Sequence, residues 1–87
     1  MSAEQAHNVT VRVGTIKGEK SYTLPQQTKV SELISKVLAD FPDLPKADRY
    51  VLVRKSTGDT LDGDRPLVSY HFASDELLEL TAIGGGA

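Results

Sequence analysis

The last residues of this 87-residue chain, Gly84-Gly85-Gly86-Ala87 after Ile83, have a clear chemical use. Glycines have no side chain to pack or to hold a metal, and a glycine run loses much entropy on ordering, so the stretch is expected to be mobile. It offers a thin, extended main chain that ends in a small residue and a carboxylate. No Cβ obstructs main-chain contacts on either side, so a narrow enzyme tunnel can admit it. Cysteine is absent, which removes disulfides, thiolate catalysis and cysteine-ligated metals. Any thioester would therefore join this chain's own carboxylate to a partner's thiol. Frayed termini are common, so the preceding domain decides what the glycines mean.

Other candidate chemistry is sparse. Asp62 and Asp64 flank Gly63, but the loop lacks the carboxylates and the glutamate at its twelfth position that calcium needs, so both read as turn residues. His7 has no second ligand nearby and reads as solvated. His71 lies near Asp75, but no serine or cysteine nucleophile sits in a motif context beside them, and His71 reads as a surface or half-buried histidine. With no motif-spaced titratable cluster, the chain is not expected to be an enzyme, and no metal or cofactor is expected on it.

The net charge of -2 and the scattered lysines and arginines give no basic surface for nucleic acid. No apolar run approaches the ~20 residues of a membrane span, and Met1 to Gln5 lack the regions of a secretory signal. A cytoplasmic monomer without membrane or nucleic-acid partners is the expectation. Composition, 39% hydrophobic and 25% charged, fits one ordinary folded domain.

The elements that position the tail follow from periodicity. Met1 to Asn8 read as a disordered lead. Val9, Val11 and Val13 alternate with Thr10 and Arg12, the period of a half-buried strand. Gly14 and Gly18 bracket a turn with Ile16 at its tip, and a second strand returns with Tyr22 and Leu24 inward until Pro25 stops it. Thr28 is the expected helix cap. Val30, Leu33, Ile34, Val37, Leu38 and Phe41 form one apolar stripe of a three-turn helix that cannot pass Pro42. Arg49 to Arg54 is a third strand, with Tyr50 and Leu52 inward and Val51 and Val53 outward. Thr60-Leu61 reads as a short strand or the end of the same hairpin, Leu67 to Phe72 as a helical turn or irregular element, and Glu76 to Ala82 as the final strand with Leu78 and Leu80 inward. The first and last strands are the natural central neighbours.

Leu44-Pro45, the run Leu61-Asp62-Gly63-Asp64-Arg65-Pro66-Leu67 and Tyr70 together resemble the ubiquitin-like β-grasp family. Leu61 to Leu80 is most similar to ubiquitin: an acidic-glycine turn, then arginine, leucine and tyrosine, then a leucine-rich strand. Arg49 and Gly18 fit as well. The resemblance covers about Val9 to Gly86 and rests on order and spacing rather than on one motif. It implies an α+β fold, a mixed sheet of four to five strands with one main helix on one face. The domain is expected over residues 9–82, between a lead of residues 1–8 and a flexible tail of residues 83–87.

The resemblance also implies a function. In such modifiers an E1-like enzyme uses ATP to adenylate a C-terminal di-glycine and passes it through thioesters to a target protein. Gly85 and Gly86 match the di-glycine, with Gly86 activated once a peptidase removes Ala87. ATP is used by the activating enzyme and is not bound by this chain. Of the family's apolar partner-binding patch, Ile16 and Val51 match two positions, and Thr81 replaces an aliphatic residue. Ala82 and Ile83 replace the basic residues that precede the glycines in ubiquitin, which implies a dedicated partner. Divergent proteins of this kind resemble those of bacteria, which work with E1-like, E2-like and JAB-type peptidase partners. The alternatives are a sulfur carrier with a C-terminal thiocarboxylate and a non-covalent ubiquitin-like binding module.

Overall fold

The computed structural model describes residues 7–73 and 76–84. Strand β1 (Asn8–Thr15) pairs antiparallel with β2 (Gly18–Pro25) through a two-residue turn at Ile16-Lys17. Helix α1 (Val30–Asp40) crosses over to β3 (Arg49–Arg54), and β4 (Leu77–Ile83) returns through the middle. The sheet order is β2-β1-β4-β3, with β1 and β4 parallel at the centre and the outer pairs antiparallel. This is the expected mixed α+β sheet with one helix on one face, with four strands among the described residues. Thr60 makes an isolated antiparallel bridge to Val53, so of the two readings Thr60-Leu61 is the end of the hairpin that leaves β3 rather than a separate strand. Leu61 instead donates its amide to Leu52 and buries its side chain.

The apolar periodicities account for the core. Val11, Val13, Val30, Leu33, Val37, Leu52, Leu67 and Leu78 are fully buried, with Tyr22 and Leu80 nearly so. Ile34, Leu38, Phe41 and Tyr50 pack at its margin. A 3-10 helix over Leu67–Tyr70 inserts Leu67 beneath the sheet. Truncating any of the central leucines is worth ~2–5 kcal/mol.

Two boundaries differ from expectation. Thr28 is not the helix cap; that position falls to Lys29, whose amide donates to the Glu32 carboxylate at 2.9 Å. The first free helix amides, Val30 and Ser31, already donate to the carbonyls of Arg65 and Gly63, each at 3.0 Å. The Asp62–Pro66 turn thus supplies from a distance what a side-chain cap would supply locally. Asn8 is not part of the lead: it pairs with Pro25 in β1, and His7 accepts a hydrogen bond from Gln26. Residues 1–6 lie outside the described residues.

Candidate functional site

The strand that carries the tail is held firmly at its start. Glu76, just before β4, is only 5% exposed. Its carboxylate receives Arg54 at 2.9 Å, Ser56 at 2.9 Å and the Ala73 amide at 3.1 Å. Arg54 also donates to the Tyr70 carbonyl at 3.1 Å and lies over the Phe72 ring. The hydrogen bond from Arg54 holds the Glu76 carboxyl below the usual glutamate range, outweighing the opposite pull of burial. Meanwhile the Arg12 amide donates to the Glu76 carbonyl at 3.0 Å, starting the parallel β1–β4 ladder.

At its other end β4 runs out into solvent. Its last pair joins Ile83 to Arg49, so the strand extends one residue beyond the expected boundary and Ile83 belongs to the sheet rather than the tail. Gly84 follows, exposed, with a left-handed φ of 67°. Gly85, Gly86 and Ala87, the expected activation and processing residues, lie outside the described residues. Because β1 and β4 are parallel and β3 runs against them, the β1–β2 turn, the start of β3 and Gly84 share one end of the sheet.

The three expected patch residues are not all on one surface. Val51 and Thr81 are a directly opposed β3–β4 pair, half-buried on the face away from α1. Alternation places Ile83 on that same face beyond Thr81. Ile16 is instead at the turn, 75% exposed, and borders a depression of about 70 Å³ with Leu44, Pro45, Tyr50, Leu80 and Ala82 on the helix side. Ile16 and Ile83, the latter 38% exposed, are the large apolar residues left open among the described residues. Ile83 completes an apolar strip with Val51 and Thr81, and its signal in the sequence was the alternation Glu79, Thr81, Ile83.

The remaining candidates take structural places. The Asp62 side chain accepts from the Asp64 amide at 2.9 Å, a turn contact. No group of three or more metal-ligating side chains gathers among the described residues. His7 and His71 are both exposed, and Asp75 lies outside the described residues. At the β2 edge of the sheet, Asp40 receives the Tyr22 hydroxyl at 2.7 Å and Lys20 at 3.1 Å, tying the end of α1 to β2. Those contacts, Tyr22 first, lower the Asp40 pKa, and burial foremost raises that of Tyr22.

No protein-family model matches the chain, and no curated protein matches it in sequence. Solved structures do match. Caldiarchaeum subterraneum ubiquitin superposes with a TM-score of 0.70 at 20% identity, covering 93% of this chain and 100% of that one. A structure described as "Molecular Mimicry of SUMO promotes DNA repair" gives 0.73 at 16% identity, covering 90% and 96%. The ubiquitin-like domain of an Arabidopsis thaliana protein gives 0.69 at 18% identity, covering 93% and 83%. The chain therefore has the ubiquitin-like β-grasp fold.

Proposed function

We propose that this ubiquitin-like chain is a protein modifier whose C-terminal glycine, Gly86 once Ala87 is removed, is charged by an E1-like enzyme. The carboxylate attacks the α-phosphate of ATP and pyrophosphate leaves. A thiolate of the enzyme then displaces AMP to form a thioester, and an amine of the target displaces the thiol. This chain supplies no acid, base or nucleophile to those steps. It supplies an unhindered acyl group and a rigid surface for recognition, working with E2-like and JAB-type peptidase partners in the cytoplasm.

The observation that carries the reading is the end of β4. Its last pair is Ile83 with Arg49, and Gly84 stands exposed beyond it, so the strand ends clear of the core. The strip of half-buried Val51 and Thr81 with exposed Ile83 gives partners a mostly uncharged surface beside that exit. The same strip favours a second reading, a binding module in which the glycines are incidental.

Intact-mass spectrometry separates the two. Residues 1–86, incubated with the cognate E1-like enzyme and ATP, are expected to gain the mass of an adenylate and then of an enzyme thioester. Persistent absence of both counts against acyl transfer, including the sulfur-carrier variant, and leaves the binding module. A thiocarboxylate product in place of target conjugates identifies the sulfur carrier.

A further inference from the structure

The three glycines after Ile83 are alike in sequence but Gly84 is placed where glycine has a separate reason to be. Its φ of 67° is left-handed, a conformation in which an L side chain crowds the following carbonyl. A Cβ on Gly84 would also meet Asp48, lying 2.5 Å from its Oδ2, 3.1 Å from its Cγ and 3.3 Å from its Cβ. Gly58 shows the contrast: it too is left-handed, yet a Cβ there meets nothing within 4 Å. The crowding at Gly84 is imposed by register. Arg49 is the last residue paired to β4, opposite Ile83, so Asp48 and Gly84 are the next residues across the same antiparallel pair. An extended residue at 84 would carry β4 on alongside Asp48. The left-handed turn takes the main chain off that line.

We propose that Gly84 is a positioning residue that aims the acyl tail through its left-handed φ, with the Asp48 side chain beside the turn. This role is distinct from that of Gly85 and Gly86, and it rests on the modifier reading above. Docking of the folded domain on an activating enzyme uses the sheet surface, whereas delivery of the carboxylate to ATP depends on the direction in which the chain leaves β4. A side chain that forces φ negative at residue 84 misdirects the tail without altering the docked surface.

Handedness tests this. A D-residue is at ease at positive φ, and its Cβ takes the other hydrogen's place. Gly84→Ala and Gly84→D-Ala, the latter made by chemical ligation, add the same bulk with opposite backbone preference. In ATP–pyrophosphate exchange by the cognate E1-like enzyme, Gly84→Ala is expected to lower kcat about tenfold with KM nearly unchanged, and Gly84→D-Ala to keep the unaltered rate. Equal slowing by both shows that bulk in the enzyme's tunnel matters rather than aim, and overturns the inference. Equal full activity of both also overturns it. Coupling constants and through-space contacts of Gly84 in the free protein give a separate readout: positive φ with contact to Asp48 supports the inference, and negative φ overturns it whatever the enzyme does. Absence of exchange with the unaltered chain defeats the modifier reading, and the solution conformation then judges Gly84 by itself.

Discussion

The two ends of β4 are built on opposite plans. At the start, Glu76 is buried and its carboxylate is held by Arg54, Ser56 and a main-chain amide. Seven residues of strand later, Ile83 is partly exposed, its neighbour Gly84 has no side chain, and pairing stops at Arg49. A buried charge stripped of its partner costs several kcal/mol, so the first end tolerates little change. The second end contributes little to the core and can be altered without unfolding the domain. The strand separates holding from offering, and the pinned end gives the exit its fixed geometry.

The sharpest way to break this contrast is to cut the exit away. Deleting Gly85 to Ala87 is expected to abolish charging by an E1-like enzyme while leaving the melting temperature unchanged, measured by intact mass and calorimetry. A large loss of stability would mean that those residues are part of the fold after all. Damage to the other end should do the reverse. Glu76→Ala leaves Arg54 without its counter-ion, and a loss of about 3 kcal/mol is expected in urea unfolding, with charging retained at temperatures where the variant stays folded.

The same pair sets an acid dependence. The folded-state pKa of Glu76 is lowered, chiefly by Arg54, so its ionised form stabilises the fold above the ordinary glutamate value of ~4.3. That contribution is lost as pH falls through the lowered folded-state value, because the unfolded chain binds the proton first. Asp40, lowered by Tyr22 and then Lys20, acts in the same direction but more weakly because it is more exposed. Acid titration of stability should therefore be flatter in Glu76→Gln than in the unaltered protein. The smallest effect belongs to the surface strip: Val51→Asp is expected to weaken partner binding about tenfold with little change in stability, as truncation of one apolar contact does. If it unfolds the domain, Val51 faces the core and the β3 register is shifted by one.

Much of this was legible because apolar spacing is a local signal. Val11 and Val13 alternate, Val30, Leu33 and Val37 recur at helical spacing, and Leu78 and Leu80 alternate again, all as buried. What escaped depends on contacts between distant residues. Arg54 and Glu76 are 22 residues apart, and nothing in the local pattern at the start of the final strand pairs one with the other. Thr28 read as a cap because the carbonyls of Gly63 and Arg65 that serve the helix come from a loop more than thirty residues later. In sequence Ile83 reads as tail because glycines follow it, although its alternation with Thr81 continues the strand. Ile16 and Val51 match the family's patch one by one, but the turn leaves Ile16 exposed at a depression that Leu44 and Tyr50 also line, on the helix side of the sheet.

The central claim is that the free end of this domain is an acyl group to be activated. The direct test compares two forms of residues 1–86 that differ only at the last group, one a carboxylate and one a carboxamide. With the cognate E1-like enzyme, ATP–pyrophosphate exchange is predicted for the carboxylate and none for the carboxamide. No exchange with either form, while both still bind the enzyme, would contradict the account.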